Sequence, residues 1–304
     1  MPEKEISVCL TGATGWLGRS LMEAGQTFDK EVNFSLFGRK DSQILLQSQK
    51  TLPVKKFDLK EIGKKDFDIF APFAFLTRDK ALTLSDSEYE LANRSIIETS
   101  VQVIRSGKAG SVVNLSSGVV SVMSDNQKAD SSYSIYARLK EYQEEEFAKA
   151  CSFAGIPLIN CRVFSLSGID MQEPNKYAIG DLISQALTKK SITLKSRSIV
   201  TRRYMDSRDL MYLLLRLAIS GNSTSVESGG NKVTLIELSE KILQLLSLSI
   251  ENITFESDSE VPTNEYFSNR DDLEEYATRL SFKMTSMEGQ IQNVTKAAEL
   301  QAKN

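Results

Sequence analysis

The sequence predicts an α/β fold, a doubly wound parallel sheet followed by a smaller α+β lobe. Three observations predict it. Short apolar runs alternate with helical patterns through the first half of the chain. A glycine-rich loop separates the first run from the first helical pattern. Past Ser165 the alternation breaks down. Strand and helix in turn, at this spacing, make a parallel sheet with helices on both faces. A chain of 304 residues suits about two domains or one large α/β unit. The expected division is 1–165, with returning segments near 199–220, and a lobe over most of 166–304.

Each element has a local reason. Ile6–Leu10 is a run of buried-strand type, and Trp16–Ala24 reads as a helix. Val32–Phe37 is a second strand, and a polar helical stretch starts at Asp41. Pro53–Phe57 and Asp68–Ala71 are the third and fourth strands. Glu88–Arg105 is a long amphipathic helix, with Leu91, Ile96, Ile97, Val101 and Ile104 toward one side. Ser111–Leu115 is a fifth strand, Tyr133–Ala154 a second long helix and Pro157–Phe164 a sixth strand. Beyond them Tyr177–Lys189, Ser207–Ile219, Thr234–Leu246 and Ser286–Leu300 read as helices. Ile192–Leu194 and Ile199–Tyr204 read as short strands, and Ser220–Lys232 as the most loop-like segment. Glu144–Glu146 reads as a solvated helix face, and the Leu-rich face of Asp209–Ile219 as core.

Composition narrows the chemistry. There is no histidine. Histidine triads, the usual zinc sites and histidine proton shuttles are therefore excluded. A general acid or base must be Tyr, Lys, Asp, Glu or Cys. A net charge of -3 argues against nucleic acid as a partner. Cys9, Cys151 and Cys161 are too few and too unevenly spaced for a disulfide framework. Residues 1–8 are too polar for a signal-peptide core, and no run reaches about 18 apolar residues. A cytoplasmic chain without a membrane span is the expectation.

Gly12, Gly15 and Gly18 lie in Thr11-Gly12-Ala13-Thr14-Gly15-Trp16-Leu17-Gly18, after a strand and at the start of a helix. Gly12 suits the tight turn, Gly15 a close backbone approach to a pyrophosphate, and Gly18 close helix–sheet packing. Backbone N–H groups and the helix dipole favour phosphate there. This is the context of a Rossmann-type dinucleotide site, with Thr14, Trp16 and Leu17 among the contacts. An acid at the end of the second strand would bind the ribose hydroxyls of NAD. This chain has Gly38-Arg39-Lys40 instead. Arg39 suits the 2′-phosphate of NADP, so NADP is preferred over NAD. Asp58, followed by Leu59, either accepts from the adenine amino group or caps the next turn.

Tyr136 and Lys140 are four residues apart in a helical segment, on one face and one turn apart. A nearby ammonium favours the phenolate. Such a tyrosine can exchange a proton with a hydroxyl or carbonyl while hydride moves to or from nicotinamide. Ser116-Ser117-Gly118 follows the fifth strand, where ligands collect in open α/β sheets. Ser117 either polarises the same oxygen or caps the loop. The basic stretch Lys189–Arg203 either binds a diphosphate or is a solvated hairpin.

The glycine loop, the Ser–Gly after the fifth strand and the Tyr-x-x-x-Lys pair together resemble the short-chain dehydrogenase/reductase superfamily. Their order and spacing are similar to its extended branch, the NAD(P)-dependent sugar-nucleotide epimerases, dehydratases and reductases. The resemblance implies Tyr136, Lys140 and Ser117 as the catalytic set and Ala74 and Asn93 as further cofactor neighbours. Arg162–Gly168, with Ser165, resembles the family's sixth-strand Arg…Gly segment. Arg202–Leu210 resembles the later Arg-x-Phe/Tyr stretch, so Arg202 or Arg203 is expected to meet the substrate diphosphate. Asn269–Gln290 resembles the closing segment of the small lobe. The resemblance further implies a nucleotide-sugar substrate and a homodimer through the two long helices.

The departures bear on the substrate. Pro72-Phe73-Ala74 replaces His-hydrophobic-Ala, the Tyr-Gly after the serine motif is missing, and Ser165 stands for a common Asn. Dehydrating members carry Asp-Glu after the Ser/Thr, where this chain has Gly118-Val119. Reduction of a 4-keto sugar nucleotide needs only hydride, Tyr136 and Ser117 and is the expected reaction. A 4-epimerase needs the same set with a retained cofactor. A non-catalytic NADP-binding regulator would have no need of Ser117, Tyr136 and Lys140 together.

Overall fold

β1 (Ile6–Thr11) opens the fold. Its Val8, Cys9 and Leu10 are fully buried, as a strand covered on both faces requires. α1 (Trp16–Gln26), β2 (Val32–Gly38), β3 (Ser42–Leu45), β4 (Thr51–Lys56), α2 (Leu59–Ile62) and β5 (Phe67–Pro72) follow. Next come α3 (Asp86–Arg105), β6 (Ala109–Ser117), α4 (Gly118–Asp125), α5 (Ser131–Ala154) and β7 (Leu158–Val163). The second half holds β8 (Ser165–Ser167), α6 (Ala178–Lys189), β9 (Ile192–Leu194), β10 (Val200–Asp206), α7 (Ser207–Ile219) and β11 (Thr224–Glu227). It ends with β12 (Asn231–Thr234), α8 (Leu235–Leu245), β13 (Ile253–Phe255), β14 (Asn264–Tyr266), α9 (Asp272–Arg279) and α10 (Met287–Ala302). The computed structural model describes residues 5–77, 83–125, 131–257 and 263–302.

The chain divides into two units, Met1–Val163 with Met211–Glu227, and Phe164–Leu210 with Ser228–Asn304. In the first, eight strands form one sheet in the order β11-β7-β6-β5-β1-β2-β4-β3. Its pairings are parallel except β3 with β4. The strand order reverses between β1 and β5, whose carboxyl ends meet at Thr11 and Pro72. That reversal is where an open parallel sheet leaves a crevice for ligands.

α3 starts with a capping box, in which Ser85 and Glu88 exchange side-chain and backbone bonds. Its Ile97, Val101 and Ile104 pack with Phe147, Ala150 and Cys151 of α5 against Cys9, Phe70 and Val112 of the sheet. The apolar face of α7 is core as expected, with Leu210, Met211, Leu213 and Leu214 fully buried. In the second unit β10 is central, paired in parallel with β8 and β14 and antiparallel with β12. β9 and β13 pair separately. No helix among the described residues is long and apolar enough to cross a membrane.

Three expectations need correction. The stretch from Asp41 is the edge strand β3, not a helix. Ile44 is buried between exposed Gln43 and Leu45, a period of two rather than 3.6. Ser220–Lys232 is not all loop. It contains β11 and the start of β12, and β11 gains its partners only from β7, far away in sequence. Lys189–Arg203 is no hairpin either, because β9 pairs with β13 while β10 pairs elsewhere.

Candidate active site

The turn after β1 is built as its glycines require. Gly12 has φ of +73°, and a Cβ there would sit 2.7 Å from Ala74 N and from Phe73 C. Any side chain would force the β1 and β5 loops apart. A Cβ on Gly18 would lie 2.6 Å from Gly12 O, so α1 folds tightly back on its own turn. Gly15 differs, since its only near neighbour would be Gly12 O at 3.3 Å. α1 begins at Gly15 with no side-chain cap and no acid in its first turn. Nothing anionic from the first turn competes for that N-terminus, so the cradle fits a dinucleotide pyrophosphate. Thr14 is exposed, while Trp16 and Leu17 are half-buried.

Arg39 and Lys40 are exposed beyond β2. The neighbouring Asp41 accepts from Lys56 N through Oδ1 at 2.7 Å. Asp58 caps α2, accepting from Lys60 N at 2.8 Å, and Leu59 opens that helix. Of the two readings of Asp58, the capping one is filled here.

The loop after β5 is pinned at both ends. Ala74 N donates to Thr11 Oγ1 at 3.3 Å. Buried Asn93 accepts from Leu76 N at 2.9 Å and donates back to Leu76 O at 3.2 Å. Asn93 thus fixes the loop that borders the glycine turn.

Ser117 ends β6 and is buried, its Oγ accepting from Val119 N at 3.4 Å. Tyr136 packs on the cluster of Val119, Val120 and Ala137. Lys140 is buried and donates to Leu115 O at 2.9 Å and to Gln143 Oε1 at 3.0 Å. Burial pushes its ammonium down to about 7, with Glu144 pulling the other way. Ser117, Tyr136 and Lys140 therefore gather at the carboxyl end of β6. Sequence reasoning missed two neighbours, Phe75 and Gln143. Gln143 sits three residues after Lys140, a spacing that places them together on a helix. Phe75 carries no local signal.

Glu144 corrects the reading of 144–146 as a solvated face. Arg162 forks onto it, Nε to Oε1 at 2.9 Å and Nη2 to Oε2 at 2.8 Å. Burial alone would raise the Glu144 carboxyl, but this fork holds it below its ordinary value. Only Glu145 and Glu146 face outward, near Lys149. Cys9, Cys151 and Cys161 are buried and joined in no disulfide. Burial pushes the Cys9 and Cys151 thiols up to about 12, which removes them as nucleophiles.

In the second unit, Ser165 lies on β8 opposite Tyr204 of β10. Arg203 is only 12% exposed and bonds Asp271 and Glu274. Its other donors reach the carbonyls of Gly230, Ser268 and Arg270. Arg203 is spent on holding its own unit together, so the expectation of a diphosphate contact narrows to Arg202. The Arg202 guanidinium donates to Thr201 O and Asn264 O and lies 5.8 Å from the Tyr266 ring centroid.

The model of the NAD-dependent epimerase/dehydratase family matches residues 8–226. No curated protein matches the chain significantly in sequence. Solved structures resemble it over nearly its whole length. A UDP-N-acetylglucosamine 4-epimerase from Methanobrevibacter ruminantium M1, in complex with UDP-N-acetylmuramic acid, aligns with a TM-score of 0.75 at 19% identity. That alignment covers 97% of this chain and 98% of the other. A dTDP-glucose 4,6-dehydratase from Bacillus anthracis str. Ames, in complex with NAD, gives 0.72 at 15% identity, covering 98% of each chain. A UDP-N-acetylglucosamine 4-epimerase from Bacillus cereus gives 0.70 at 16% identity, covering 95% of each.

Proposed function

Because the chain belongs to the NAD-dependent epimerase/dehydratase family, enzymes of the extended short-chain dehydrogenase/reductase type, we propose that it reduces a 4-keto sugar nucleotide. The observation that carries this reading is the Tyr136–Lys140 pair, one turn apart on α5, with Ser117 at the end of β6. Tyr136 passes a proton to the ketone oxygen, and Ser117 polarises that oxygen by donating to it. A bound nicotinamide dinucleotide supplies the hydride.

The turn of Gly12, Gly15 and Gly18, with Thr14, Trp16 and Leu17, holds the pyrophosphate. Asp58 and Leu59 border the adenine side, and Ala74 and Asn93 line the loop beside the glycine turn. Lys140, seated on Leu115 O, would hold a nicotinamide ribose hydroxyl. NADP is preferred, since Arg39, exposed beyond β2 where an NAD-binding acid would stand, suits a 2′-phosphate. Arg202 meets the substrate diphosphate, with Ser165 near the sugar. Leu91 and Phe153, 70% and 79% exposed on α3 and α5, are set for a homodimer through those helices.

Gly118 and Val119 follow Ser117 and offer no acid or base, which argues against dehydration. A second reading is 4-epimerisation with a retained NAD, favoured by the likeness to two 4-epimerases. One experiment separates them. The purified protein is denatured, the released dinucleotide is identified by mass spectrometry, and NADPH oxidation is followed with 4-keto sugar nucleotides. NADPH consumption supports the reductase. Tightly held NAD with interconversion of UDP-sugar epimers supports the epimerase. Absence of hydride transfer in both assays overturns the proposal.

A further inference from the structure

The ring of Phe75 touches both members of the Tyr136–Lys140 pair. Its centroid lies 3.8 Å from Lys140 Nζ, with the ammonium over the ring face. The same centroid is 5.8 Å from that of the Tyr136 ring, at an interplanar angle of 88°. That is an edge-to-face contact. The ring is held in place by its backbone. Thr11 binds the residue before it and Asn93 the residue after it. Leu76 and Phe75 also pack against the cluster of Tyr89, Ile135 and Leu139.

We infer that Phe75 is a positioning residue for the Tyr136–Lys140 pair. The inference rests on the reading of that pair as the proton-transfer set. An ammonium has three donors. Leu115 O and Gln143 Oε1 take two of them. The face of Phe75 covers the remaining side, where the ring quadrupole attracts a cation. Lys140 therefore stays seated on Leu115 O rather than turning toward water. The Tyr136 ring, set at right angles to Phe75, is held at a fixed spacing from the same ammonium. One aromatic side chain on a pinned loop thus sets two functional groups on another element. Leucine at position 75 would fill much of the space but offer neither a π face nor an aromatic edge.

The test uses the full-length protein and the variants Phe75→Ala, Phe75→Leu and Phe75→Tyr. Brief acetylation with acetic anhydride, read by peptide mass spectrometry, reports access to Lys140 without any need for turnover. Exposed Lys149 serves as the internal control. Lys140 should label at least ten-fold faster in Phe75→Ala, several-fold faster in Phe75→Leu and unchanged in Phe75→Tyr. In hydride-transfer assays kcat should fall ten-fold or more in Phe75→Ala and Phe75→Leu, with KM within about three-fold, and Phe75→Tyr should rescue it. Equal Lys140 labelling in all four proteins overturns the inference, as does full kcat in Phe75→Leu. If Phe75→Ala fails to fold, the Leu and Tyr variants still decide it. If the unmodified protein transfers no hydride, the proposed function fails, and the labelling alone decides whether Phe75 holds Lys140.

Discussion

Lys140 Nζ donates to the carbonyl oxygen of Leu115 at 2.9 Å, tying α5 to the end of β6. The bond keeps an ammonium in a buried place. Burial lowers that group from an ordinary 10.5 to about 7. Between those values the folded chain binds fewer protons than the unfolded one, so stability rises with pH across that window. Below about pH 7 both states are protonated and the full cost of the buried charge persists. Urea unfolding from pH 7 to pH 10 should show the unmodified protein gaining on Lys140→Met by on the order of a few kcal/mol. Parallel stability curves would show that Lys140 titrates like a solvated lysine.

The glycines of the first turn should separate folding from binding. Gly12→Ala puts a Cβ 2.7 Å from backbone atoms at a φ of +73°. It should cost about 1–3 kcal/mol or more of stability. Gly15→Ala meets one atom at 3.3 Å. Its melting temperature should hold, while dinucleotide affinity falls roughly ten-fold or more, since the methyl occupies phosphate space. Calorimetric melting and fluorescence titration with NADPH check both, and an unchanged affinity in Gly15→Ala would move the pyrophosphate elsewhere.

Tyr136→Phe removes one hydroxyl and keeps the ring that meets Phe75. Dinucleotide binding should be preserved and turnover should drop by roughly 10²–10⁴. Stopped-flow measurement of hydride transfer tests this directly. Turnover within two- or three-fold of the unmodified protein would remove Tyr136 from the chemistry.

Arg162 and Glu144 form a two-bond fork between β7 and α5. Arg162→Met leaves a half-buried carboxylate without its partner. The cost should be about 2–3 kcal/mol, at the low end for a buried pair because Arg162 remains 29% exposed. Arg162→Met combined with Glu144→Gln should recover a good part of it. A double variant no more stable than the single one would mean that the charge is not what Arg162 relieves.

Much of the fold was legible because its signals are local. The run Ile6–Leu10, the glycine turn and the apolar side of Glu88–Arg105 at Ile97, Val101 and Ile104 each state their structure within a few residues, whereas Leu91, expected on that side, is exposed. Segments whose structure depends on distant partners were not legible. The stretch after Asp41 becomes a strand by pairing with β4, and Thr224–Glu227 becomes one by pairing with β7. Neither partner is visible from the segment itself.

The sequence by itself determined the parallel α/β plan, the glycine turn after β1 and the one-turn spacing of Tyr136 and Lys140, because backbone periodicity and glycine sterics act over short range. Only the tertiary structure decided what surrounds those groups. It buried Lys140 on Leu115 O, set Phe75 across Tyr136 and Lys140, turned Glu144 inward onto Arg162 and committed Arg203 to its own unit. Those contacts join residues from 18 to 71 positions apart, or rest on a burial that many such residues create together. Their energies come from desolvation and packing, which exist only once the chain has closed on itself.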